Sequence, residues 1–120
     1  MSTSAVVVFD GTLRKDVAAV CVVHDGDPAK MLARLRAFFA DLEAQRPQVT
    51  TAGDPEKLAA QYVVWEAQRN TPDPGRPLLF LEVVVCVPGF DPGGYKYRVI
   101  CEAGNEPAIR LVNADGSEWR

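Results

Sequence analysis

At 120 residues the chain is long enough to bury one core and short enough to form a single domain, 1–120, that needs no disulfide or metal to hold it together. A composition of 48% hydrophobic and 24% charged residues excludes global disorder, and a net charge of −3 with scattered basic residues argues against a phosphate-backbone binder, so no nucleic acid is expected as a partner. The longest unbroken apolar run, Val17–Val23, is too short to span a membrane, and Met1–Ser4 lacks a basic signal-peptide start; the expected compartment is the cytoplasm, with no membrane partner.

The first strand is predicted over Ala5–Phe9, ending in the turn dipeptide Asp10-Gly11. The second, Val17–His24, is almost wholly apolar, as a central strand buried on both faces should be, and a hairpin through residues 12–16 joins the two. Asp27-Pro28 then opens a helix, because Asp is a favoured N-cap and Pro loses nothing at the first helical position. Met31, Leu32, Leu35, Phe38, Phe39 and Leu42 recur at helical spacing in one stripe, and burying them is worth about 1.5–3 kcal/mol each. Pro47 ends this helix.

Asp54-Pro55 repeats the same opening, and a second helix is predicted to run to about Arg69 with Leu58, Tyr62 and Trp65 as its apolar stripe. The proline-rich stretch 70–77 reads as an exposed loop. Three strands follow, at Leu78–Val87, Tyr95–Ala103 and Ala108–Val112, separated by short turn-rich segments that include 88–94; they are expected to form an antiparallel meander. The fold class is therefore α+β, order ββααβββ, a five-stranded mainly antiparallel sheet with two helices packed on one face.

Cys21, Cys86 and Cys101 each sit within an apolar run, without the paired Cys-x-x-Cys knuckles of a zinc site, and are expected to be reduced core thiols. No metal and no cofactor is expected. His24 is the single histidine; strand alternation turns it away from Cys21, so a Cys–His catalytic pair would need Cys86 or Cys101, and a strand-end histidine without a chemical role is the expectation. Arg outnumbers Lys nine to four and Ala and Val are abundant, a usage that fits a GC-rich bacterial gene.

Val6-Val7-Val8-Phe9-Asp10-Gly11-Thr12-Leu13 resembles the first motif of the haloacid-dehalogenase-type phosphatases, in which an apolar strand ends in Asp-x-Asp-Gly-Thr-Leu. That resemblance implies a nucleophilic and an acid/base aspartate, but this chain has one Asp before Gly11, so both roles cannot be filled. The segment is expected to be a strand ending in an Asp-Gly turn.

Glu82 interrupts an otherwise apolar strand. Leu79, Leu81, Val83, Val85 and Val87 form the face expected to meet the helices, while Phe80, Glu82, Val84 and Cys86 form the other. On the next strand Tyr95, Tyr97, Val99 and Cys101 are expected to face the core, with Lys96, Arg98, Ile100 and Glu102 opposite. Glu82 is expected to pair with Arg98 or Arg110, or to be the polar group of a ligand pocket lined by them. The apolar residues around it, Phe80, Val84, Cys86 and Ile100, have the composition of a self-association surface, so the expected partner is a second copy of the chain.

The function these residues point to is a non-catalytic binding or accessory protein acting as a homo-oligomer, for example as a regulatory or immunity-type partner of another bacterial protein. The alternative is a small-molecule binder or small enzyme with a pocket near Glu82.

Overall fold

The computed structural model describes residues 4–44, 54–69, 83–87, 89, 94–102 and 108–113. Its elements are β1 (Ala5–Gly11), β2 (Ala18–Val22), α1 (Pro28–Ala44), α2 (Pro55–Arg69), β3 (Val83–Cys86), β4 (Tyr95–Glu102) and β5 (Ala108–Asn113). The fold is α+β, and the predicted order of strands and helices holds throughout. Of the loops read from sequence, 12–16 is exposed, whereas 70–77 and all but Gly89 and Gly94 of 88–94 fall outside the described residues. No described helix is long and apolar enough to cross a membrane.

The sheet order is β3-β2-β1-β4-β5. β1 lies at its centre, antiparallel to β2 from Ala5 opposite Val22 to Phe9 opposite Ala18, and parallel to β4 from Ala5 opposite Tyr95 to Gly11 opposite Cys101. β3 pairs antiparallel with β2, and β5 with β4. The sheet is thus mixed and mostly antiparallel, and the expected meander of the last three strands is incorrect: β3 and β4 stand on opposite sides of β2 and β1. The reason lies in chain reach. Residues 87–94 can extend roughly 26 Å at ~3.3 Å per residue. β3 and β4 run parallel, so the link crosses three strand spacings of ~4.8 Å, about 14 Å, and returns ~10 Å along β3, roughly 17 Å on the straight line and still within reach. A short link therefore does not force its two strands to be neighbours.

Alternation along β1 divides the sheet into two faces. Ala5, Val7 and Phe9 share one face with Val20, Val22, Val83, Tyr97, Val99 and Cys101, and this face packs against Met31, Leu32, Leu35 and Phe38 of α1 and Leu58, Ala59 and Tyr62 of α2. The helical stripes are found there, as are Tyr97, Val99 and Cys101 of the predicted inward face of β4; Tyr95, expected to join them, is 43% exposed, because it starts the strand beyond the reach of the helices. Phe38 sits against Phe39, Tyr62 and Trp65 with ring centroids 5.2–5.7 Å apart, in the tilted and edge-on arrangements that aromatic quadrupoles favour. Of the residues predicted to face inward on this strand, Val83 reaches the core, Val85 and Val87 are exposed, and Leu79 and Leu81 lie outside the described residues.

Both helices begin as their capping residues dictate. The Met31 amide donates to the Asp27 carbonyl at 2.8 Å, and the Lys57 amide donates to Asp54 Oδ1 at 3.2 Å, which holds the Asp54 carboxyl below its usual range. Two glycines permit close approaches at the start of β1. A Cβ on Gly26 would lie 2.7 Å from Ala5 Cβ and 2.8 Å from the Ser4 backbone, and one on Gly94 would overlap the Ser4 carbonyl oxygen.

Candidate functional site

The face of the sheet away from the helices carries most of the predicted site residues. Across its middle run Cys86, Ala19, Val8, Arg98 and Val112, one from each strand, flanked by the row Val84, Cys21, Val6 and Lys96. Val6, Val8 and Ala19 form a second, smaller core against which Cys21 and Cys86 pack, and Val112 is also buried. Sequence reading missed that β1 and β2 supply the middle of this face; a two-sided apolar run such as Ala5–Phe9 was the available signal.

The predicted residues are not all brought together. Val84 and Cys86 lie at one margin of the sheet, with β2 and β1 between them and Ile100, Arg98 and Arg110. Phe80 and Glu82 lie outside the described residues. Arg110 is exposed opposite Ile100 on the far margin.

Arg98 is engaged by carboxylates that sequence reading did not assign to it. Its Nη1 donates to Asp10 Oδ2 at 2.6 Å and to Asp16 Oδ1 at 3.0 Å. Burial works to lower its pKa, but the hydrogen bonds to Asp10 and Asp16 outweigh burial, and the net shift is upward. Asp10 is 3% exposed, and its second oxygen accepts the Asp16 amide at 2.6 Å, with Asp16 in the left-handed region at φ 54°. The lone aspartate of the phosphatase-like segment is thus used on both oxygens to close the β1–β2 loop. That loop is also tied down by an ion pair from Arg14 to Glu56 in the first turn of α2.

A second polar cluster lies between the helices. Arg34 of α1 and Glu66 of α2 are buried and paired, and Arg34 Nη1 also donates to the His24 carbonyl at 3.1 Å. His24 itself is exposed just beyond β2. Further along the helices a groove of about 420 Å³ is lined by Phe38, Asp41, Leu42, Val64, Trp65 and Gln68, with the Trp65 indole donating to Asp41 Oδ2 at 2.8 Å.

The three cysteines are free, Cys101 buried and Cys21 and Cys86 half-buried. Cys21 and Cys86 are diagonal neighbours on the outer face, and the Cys86 thiol is pushed up to about 12, first by burial and then by the nearby Cys21. Among the described residues no three His, Cys, Asp or Glu side chains are grouped to hold a metal ion.

Taken as chemistry, Asp10, Asp16 and Arg98 on the sheet and Arg34 and Glu66 between the helices are bound to one another, while exposed apolar side chains, Val84, Val85 and Val87, gather at the β3 margin. Comparison with protein-family models, with curated proteins and with solved structures finds no match to this chain.

Proposed function

We propose that the chain is a non-catalytic binding protein that works as a homodimer joined through the β3 margin of its sheet. The observation that carries this reading is the exposure of Val84, Val85 and Val87, at 47%, 76% and 67%, on a strand at the end of the sheet. An edge strand offers unpaired backbone donors and acceptors, and proteins that must remain monomeric usually place charges or proline along it. From Val83 to Val87 this edge has neither. Two copies of β3 meeting across a two-fold axis would continue the sheet from one protomer into the other and cover the valines of both. The mutual pairing of Asp10, Asp16 and Arg98 supports a binding rather than a catalytic role, since Asp10 is buried and both of its oxygens are engaged in holding the loop.

The test is sedimentation of the wild type beside Val85→Lys, whose side chain is already solvent-facing and so leaves the monomer fold intact. The expected result is a dimeric wild type and a folded, monomeric variant with unchanged circular dichroism. A wild type that sediments as a monomer at high micromolar concentration overturns the proposal.

A further inference from the structure

We propose that Cys21 and Cys86 form a two-sulfur site for a soft monovalent metal ion of the Cu(I) type. The site rests on one chain and does not depend on the dimer. Cys21 stands opposite Val84 and Cys86 opposite Ala19, so the two cysteines are diagonal neighbours on adjacent antiparallel strands and share one face. Both pack on the same floor of Val6, Val8 and Ala19, and both remain partly open to solvent.

Spacing decides what such a pair can hold. Diagonal neighbours in an antiparallel pair have Cα atoms roughly 7–8 Å apart. A disulfide requires Cα atoms within ~6.8 Å and Cβ atoms within ~4.5 Å, so direct oxidation would need β3 to shift along β2. A bridging metal holds its sulfurs two metal–sulfur bonds apart, roughly 4.6 Å for bonds of ~2.3 Å, which two cysteines on one face at diagonal spacing can reach by side-chain rotation alone. The same surroundings select the ion. Zinc takes four ligands, and no third His, Cys, Asp or Glu joins these two among the described residues. Thiolate sulfur without oxygen or nitrogen neighbours favours Cu(I), which is satisfied by two. Binding replaces the two thiol protons, which pass to solvent, with one monovalent cation, and no electron changes hands. The cysteines that composition alone assigns to core filling thus acquire a ligand.

The experiment titrates the reduced full-length chain anaerobically with Cu(I) in the presence of a competing chromogenic Cu(I) chelator. One ion per chain is expected. Cys21→Ser and Cys86→Ser should each lower the affinity by more than the roughly 10–100-fold that loss of an outer-shell partner costs, and Cys101→Ser should leave it unchanged. Circular dichroism of each variant confirms that the fold is retained. X-ray absorption of the loaded wild type should find two sulfur neighbours at the metal. Failure of the wild type to withdraw Cu(I) from the chelator, or equal binding by Cys21→Ser and Cys86→Ser, overturns the proposal. Neither result bears on the sedimentation test of the dimer.

Discussion

Arg34 of α1 and Glu66 of α2 form a two-pronged ion pair inside the protein, their side chains only 8% and 1% exposed. Arg34 Nε donates to Glu66 Oε1 at 3.2 Å and Nη2 donates to Oε2, while Arg69 stands 3.6 Å from the same carboxylate. The pair fixes how the helices register on each other, and the third guanidinium hydrogen bond, to the His24 carbonyl, ties them to the end of β2. Burying two charges gains little net energy, but removing one partner strands the other.

Arg34→Met should therefore destabilise the protein by about 3 kcal/mol, at the low end of the 3–5 kcal/mol range for broken buried pairs because Arg69 remains near Glu66. The double variant Arg34→Met/Glu66→Leu should recover most of that loss. Denaturant unfolding of the two single variants and the double variant forms the cycle that checks this; strictly additive losses would show that the two side chains act independently.

This pair marks where sequence reading of the fold reached and where it stopped. Asp27-Pro28 and Asp54-Pro55 place the helix starts within one residue because capping is local chemistry. The apolar stripes identify the buried helix faces for the same reason. Yet Arg34 lies between Met31 and Phe38, and Glu66 follows Leu58 and Tyr62 at intervals of four, so both occupy the stripe itself. A charge at stripe spacing was the available signal for a buried pair. Strand order was less legible: β1 and β4 are 90 residues apart in sequence where they pair, as at Phe9 and Asp10 opposite Val99 and Ile100, and no local pattern encodes that contact. Arg98 was correctly placed on the outer face, but its partners Asp10 and Asp16 become visible only once β4 is known to lie beside β1.

The β1–β2 loop depends on Asp10. Asp10→Ala would leave the Asp16 amide without its acceptor and Arg98 with one carboxylate instead of two. Losing hydrogen bonds at a buried charged group costs about 1–3 kcal/mol, and that is the expected destabilisation. Hydrogen exchange gives the sharper reading: the Asp16 amide should exchange much faster in Asp10→Ala than in the wild type, while amides in the middle of β1 keep their protection. Unchanged exchange at Asp16 would show that the loop is held by Arg14 and Glu56 instead.

Gly26 and Tyr97 meet at the start of the central strand, where the Tyr97 hydroxyl donates to the Gly26 carbonyl at 2.7 Å. A methyl group at position 26 would press on Ala5 Cβ and on the Ser4 backbone, neither of which can swing aside. Gly26→Ala is expected to lose about 1–3 kcal/mol, the usual range for overpacking. Ala5→Gly in the same background should restore part of that loss, because it removes the nearest of the clashing atoms. Thermal melts of the two variants decide the matter, and a Gly26→Ala protein as stable as the wild type would mean that the segment before α1 shifts freely.

Alkaline pH should unfold the protein through groups that the core holds neutral. Cys101 is buried, and its thiol is pushed up from 9.0 to about 12, first by burial and then by the carboxylates of Asp54 and Asp10. Tyr62 and Tyr97 are also shifted well upward from 10.0, in each case chiefly by burial, with Glu66 next for Tyr62 and Asp27 next for Tyr97. For a group whose folded pKa is raised, the unfolded chain releases the proton first, so its contribution to stability is whole below the ordinary pKa and is lost as pH rises through the folded one. Stability with respect to these groups should be level up to about pH 9 and then fall, with each group contributing up to about 1.4 kcal/mol per pH unit. Tyrosinate absorbance from Tyr62 and Tyr97 should appear together with loss of circular dichroism rather than before it. Cys101→Ala, which removes one ionisable group, should lower the plateau by a constant truncation cost and make the decline between pH 9 and about 12 shallower. An identical slope in wild type and variant would show that the Cys101 thiol ionises equally well in the folded chain, and that its burial on the inner face of β4 does not resist charge.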